Sequence, residues 1–143
     1  LQYLELIADY AEDIAKKIID LGIYRDKVTK DVVAEICHLG ELSQSVFQKA
    51  VDCVFTGDFK VANEVIEMER LLETRSDRLM REMPEIPFLG AIISFLGKIA
   101  DVGAGIADIA INRALENPSK DMEKCLRVVK HVRTVPVQSG AET

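Results

Sequence analysis

The sequence has 143 residues, of which 48% are apolar and 29% charged, and a formal net charge of -6. That length bounds it to one domain, or one and a fraction, with enough apolar residues for a core of ordinary size. An acidic chain is a poor match to the phosphate backbone of a nucleic acid, whose neutralisation needs clustered Lys and Arg, so nucleic acid is not an expected partner.

Aromatics are scarce at 6% and Trp is absent, so a core of Leu, Ile, Val and Ala points to helix-on-helix packing. The first helix covers residues 1–21. Leu4, Ile7, Ala8, Ala11, Ile14, Ala15 and Ile18 recur at three and four, the spacing of one buried stripe. Glu5, Asp9 and Glu12 share the opposite face with Lys16, and Gly22 is a natural stop. A second helix runs from a cap at Thr29 or Asp31 to Thr56, with Val32, Ile36, Leu39, Leu42, Val46, Phe47, Ala50, Val51 and Val54 apolar. Gly57-Asp58 breaks it, and Asp58 caps a third helix that reaches Met83. So short a break implies an antiparallel hairpin. Pro84-Glu85-Ile86-Pro87 cannot continue a helix. A fourth runs from Phe88 to Glu116 with a wide apolar face (Ile92, Phe95, Leu96, Ile99, Val102, Ile106, Ile109, Ala110) and a narrow polar strip of Asp101, Asp108 and Asn112. Asn117-Pro118 starts a last helix to Val132, and the tail from Thr134 reads as disordered. No period-two alternation stands out, so an all-α, up-down antiparallel helix bundle without β-structure is expected.

The basic residues Lys120, Lys124, Arg127, Lys130, His131 and Arg133 read as the solvated face of the last helix, or as a docking patch for an acidic partner or an anionic membrane surface. Cys37, Cys53 and Cys125 are odd in number, far apart and without CxxC, which points to a reducing compartment and to thiols packed as small apolar residues. No signal peptide is evident. The richest apolar run, Phe88 to Ile111, is interrupted by Lys98, Asp101 and Asp108, so no run is expected to reach the roughly 18 residues of a membrane span. The first residue is not Met and already lies in helical periodicity, the pattern of a piece of a longer protein.

The strongest signal is an internal repeat. Setting Leu4–Ala15 against Leu96–Ala107 makes half the positions identical: Leu4 with Leu96, Ile7 with Ile99, Ala8 with Ala100, Asp9 with Asp101, Ile14 with Ile106 and Ala15 with Ala107. Shared helix patterning accounts for the apolar matches but not for the Asp. Two equivalent helices from tandem helical units account for both.

Glu5-Leu6-Ile7-Ala8-Asp9-Tyr10-Ala11, followed by Ile14-Ala15, resembles the signature of the PhoU family, which carries an ExxxD motif on the third helix of each three-helix unit. Leu39 to Met83, with its Gly57-Asp58 turn, resembles the family's long hairpin. The resemblance spans Leu1 to about Glu116. It implies that residues 1–22 are the last helix of a preceding unit, that 23–133 form a complete PhoU-like unit with a trailing helix, and that 134–143 are a tail. It further implies a cytoplasmic negative regulator of phosphate uptake, docking on a phosphate transporter ATPase or its sensor kinase, with iron or another multivalent metal at the ExxxD motifs. Related helical modules regulate potassium channels. The second motif departs from the pattern, since Gly97 stands where the family has Glu, leaving Gly97-x-x-x-Asp101.

The candidate metal ligands are therefore Glu5, Asp9 and Asp101, extended by Glu12, Asp13 and Asp108. Residues four apart share a helix face, so Glu5 and Asp9 can reach one cation. The same acids, Glu5, Asp9, Glu12, Asp101 and Asp108, are candidates for a partner-docking face. Glu73-Thr74-Arg75-Ser76-Asp77 also matches ExxxD. Glu35-x-x-His38 matches half of a ferritin-like di-iron motif, but such sites need a second ExxH helix, so His38 reads as an ordinary, partly buried side chain. No nucleophile motif, phosphate loop or HExxH is present, so an enzyme is not expected. A metal-storing bundle and a potassium-transport module remain the alternatives. The apolar stripe of the first helix implies self-association as a homodimer or higher homo-oligomer.

Overall fold

The computed structural model describes residues 2–116. They form α1 (Gln2–Leu21), a 3-10 segment (Gly22–Lys27), α2 (Lys30–Thr56), α3 (Phe59–Glu82) and α4 (Leu89–Glu116). No strand occurs among the described residues, and the fold is an all-α bundle as expected. Residues 1–111 make one compact unit, and of residues 112–143, which group separately, those described belong to the last turns of α4. The expected last helix, its basic face, Cys125 and the tail lie outside the described residues.

The helix ends follow from local chemistry. Thr29 Oγ1 accepts from the Val32 N–H at 3.3 Å and opens α2. Gly57 ends it in the left-handed region, φ 63°, with its N–H donated to Cys53 O at 2.8 Å. Asp58 Oδ1 accepts from the Lys60 N–H at 2.8 Å and opens α3. With so short a connection α3 folds back along α2. Across that hairpin Glu35 Oε1 sits 3.8 Å from Arg75 and 3.7 Å from Arg78, and Lys49 pairs with Glu64. The Pro84–Pro87 turn hands the chain to α4 through Phe88, whose φ of 63° is unusual for a bulky residue.

The core is one apolar cluster. Leu39, Val46 and Ala50 of α2, Ala62, Val65 and Leu72 of α3, and Leu89, Ile92 and Ala100 of α4 are almost fully buried. Each large aliphatic side chain removed from water contributes about 1.5–3 kcal/mol. The buried residues of α4 include a row of small ones, Ala100, Gly103, Ala107 and Ala110, and Gly103 meets α2. The approach is close. A Cβ on Gly103 would lie 2.9 Å from Val46 Cγ1 and 3.3 Å from the Phe47 backbone. In the same contact the buried Ser43 hydroxyl donates to Leu96 O at 2.9 Å.

α1 is covered differently. Leu21 is its one buried residue. Tyr10 packs on Phe95 with ring centroids 6.0 Å apart, Lys98 Nζ lies 5.4 Å above the Tyr10 ring, and Lys17 Nζ lies 5.1 Å above Phe88. These contacts use Tyr10, Ile14, Lys17 and Leu21, a row turned by about a quarter of the helix from the expected stripe. The expectation of a buried stripe is corrected here. Leu4, Ala8, Ala11, Ala15 and Ile18 are exposed, and Ile7 and Ile14 are only half-buried.

Four smaller expectations change. Ile109 of α4 and Val54 of α2 are exposed rather than packed. Cys37 is exposed, while Cys53 is buried as expected. His38 is largely exposed beside Glu41. By length and composition α4 is long and apolar enough to cross a membrane; its charges are too widely spaced to interrupt such a window, contrary to the sequence reading.

Candidate functional site

Two surfaces gather the residues singled out by the sequence. The first is α1. Glu5, Asp9 and Glu12 are exposed on its outward side. Lys16 is within 2.8 Å of Glu12 and 3.6 Å of Asp13; the hydrogen bond and charge of Lys16 hold the Glu12 carboxyl below its ordinary value. Beside this acidic side runs the uncovered apolar row. Leu4 is 60% exposed, Ile18 50% and Ile19 75%, a contiguous apolar face of the kind that marks an interaction surface.

The second surface is a groove of about 380 Å³ between α3 and α4. From α3, Glu69, Glu73, Ser76, Asp77 and Met80 face it at helical spacing. From α4 come Gly90, Ser94, Gly97, Lys98 and Asp101, with Leu72, Ile93 and Ala100 beneath. The groove exists because the α4 row is small. A Cβ on Gly97 would meet nothing within 4 Å, whereas Met80 Sδ closes over Gly90 at 3.3 Å from such an atom. Partial burial, then the charges of Asp101 and Glu73, push the Glu69 carboxyl up from its ordinary value, with Arg70 pulling weakly the other way. Ser76 is 9% exposed, and its hydroxyl has no hydrogen-bond partner.

Of the expected metal ligands, Asp101 is in the groove, Asp108 is exposed farther along α4, and Glu5, Asp9, Glu12 and Asp13 are on α1. The structure does not bring Glu5, Asp9 and Asp101 together. Among the described residues no three His, Cys, Asp or Glu side chains converge as a metal ion requires. With Gly97 in place of the family's Glu, the residues present do not fit the cluster that the resemblance implies. His38 has no second His-bearing helix among the described residues. Cys53 is packed, its thiol pushed up by burial and by Asp58, the opposite of an activated nucleophile.

In the sequence Glu73 and Asp77 stand out only as a further ExxxD match, and nothing there singles out Glu69. The available signal was Glu69, Glu73 and Asp77 at successive steps of four on α3. Compared with family models, characterised proteins and solved structures, the chain matches none.

Proposed function

We propose that this chain is a non-enzymatic helical regulator that works by docking, as the PhoU-like signature around Glu5 and Asp9 suggests, on a cytoplasmic phosphate transporter ATPase or its sensor kinase. The observation that carries the reading is the contrast within the internal repeat. Leu96, Ala100 and Ala107 of α4 are buried, at 7%, 1% and 0% exposed. Their counterparts Leu4, Ala8 and Ala15 on α1 are exposed. A row patterned for a core but left open among the described residues suits contact with another helical unit or a partner, and Glu5, Asp9 and Glu12 beside it suit a partner face rich in Lys and Arg.

The test is phosphate uptake in phosphate-replete cells. Deleting the gene is expected to raise uptake, the full-length wild-type gene to restore repression, and Leu4→Asp/Ile18→Asp to fail while the protein remains folded and abundant. Unchanged uptake on deletion, or full rescue by the double variant, would overturn the reading.

A further inference from the structure

We infer that α1 is a hinged strap, which lifts off α4 about the joint Gly22–Lys27 while α2, α3 and α4 stay folded, and that Phe88 is the latch that holds it down. The inference stands on the joint and the latch, and does not rest on the docking role proposed for α1. The attachment is thin. Leu21 is the one buried residue of α1, and Ile14 packs only partly against the core. The ion pairs of α1, Lys16 with Glu12 and Asp13 and Lys17 with Asp20, are all internal. Among the described residues no hydrogen bond or ion pair ties α1 to α2, α3 or α4. An element with so little buried contact opens locally, before the whole unfolds.

The joint is built to bend. None of Gly22–Lys27 is buried, Tyr24 leaves helical geometry at φ -106° and ψ 20°, and Val28 is extended at φ -96° and ψ 105°. A change of direction there disturbs no buried side chain, as a hinge requires.

Phe88 is the second, independent mark. It stands at φ 63°, a region that a bulky side chain enters only against strain. What it meets there is the strap and its joint: Lys17 Nζ lies 5.1 Å over its ring, and the Tyr24 ring lies 6.1 Å away. Farther along α4, Tyr10 meets Phe95 at 6.0 Å, with Lys98 over both rings. Strain at the point of attachment keeps the closed position only weakly favoured. Lifting bares the Phe88 and Phe95 rings, and a partner that grips the open row of α1 in one position alone shifts the balance between the two.

The test is amide hydrogen exchange of the full chain, read residue by residue by NMR at low protein concentration and in increasing urea below the unfolding transition. The α1 amides are expected to be protected about a hundredfold less than those of Leu39–Ala50 in α2, and to respond weakly to urea, as a local opening does. Tyr10→Ala places a better helix former on α1, yet is expected to cut α1 protection about tenfold by removing the Phe95 and Lys98 contacts. Phe88→Gly relieves the backbone and is expected to cut α1 protection as far, while the urea midpoint of α2, α3 and α4 holds or rises. Protection of α1 that is lost only with global unfolding would overturn the strap. So would low protection that neither variant changes, which is the behaviour of a fraying helix. A fall in the urea midpoint of α2, α3 and α4 in Phe88→Gly would overturn the latch, since Phe88 would then belong to the bundle itself.

Discussion

α1 and α4 carry the same pattern of residues and meet opposite fates. Ile99 is 9% exposed, while its counterpart Ile7 is only half-buried; Leu96 is buried, while Leu4 is 60% exposed. The difference lies in what stands opposite. α4 sits against Ser43, Val46 and Phe47 of α2 with no room for a Cβ at Gly103, whereas α1 meets Phe95 of α4 through Tyr10 and Phe88, just before α4, through Lys17. Apolar periodicity thus reports that a face seeks cover, not which segment supplies it.

Substitutions at paired positions test this comparison, and the largest effect belongs at the closest approach. Gly103→Val drives a branched side chain into Val46 and the Phe47 backbone. It is expected to lower unfolding free energy by about 3 kcal/mol in urea titrations, while Ala11→Val on exposed α1 is expected to stay within about 0.5 kcal/mol. Ser43→Ala removes the buried hydrogen bond to Leu96 O and is expected to cost about 1 kcal/mol. Gly97→Ala runs the other way. With open space for its Cβ and a better helix former in place, it is expected to stabilise by about 0.5–1 kcal/mol. A loss there would show that the α3–α4 groove is closed rather than open.

The smallest effect is a pH dependence. The folded-state pKa of Glu69 is raised above 4.5 by burial and by the negative charges of Asp101 and Glu73, against the weak pull of Arg70, and Lys98 also lines the groove. The folded chain therefore holds that proton more readily than the unfolded one. Its contribution is complete below about pH 4.5 and is lost as pH rises through the raised value. Glu69→Gln is thus expected to raise the midpoint of thermal unfolding slightly near neutral pH and to give no gain in acid. An equal gain at both pH values would mean that the carboxylate charge is not the cause.

The helix boundaries were legible because their causes are local. The Thr29 cap, the Gly57-Asp58 break and the Pro84–Pro87 turn each act within a few residues. The apolar stripe of α1 was legible as a pattern, but its exposure was not, since burial depends on a helix far along the chain. The groove was hidden for the same reason. Asp101 looked like half of a motif until the register of α3 on α4 set it beside Glu69 and Glu73. Gly97, a departure from the family pattern in the sequence, makes the space in the structure. Ser43 occupies an apolar row between Leu39 and Val46, where period alone gives a polar residue no role; its partner, Leu96 O, comes from another helix.

The most direct test of the contrast between the two repeat helices is urea unfolding of Leu4→Ala and Leu96→Ala side by side at low protein concentration. Loss of about 2–4 kcal/mol at Leu96, with less than about 0.5 kcal/mol at Leu4, is the result expected if the row on α1 is kept for a partner. Equal losses at the two positions would mean that the chain itself covers α1, and the docking face would have to be sought elsewhere.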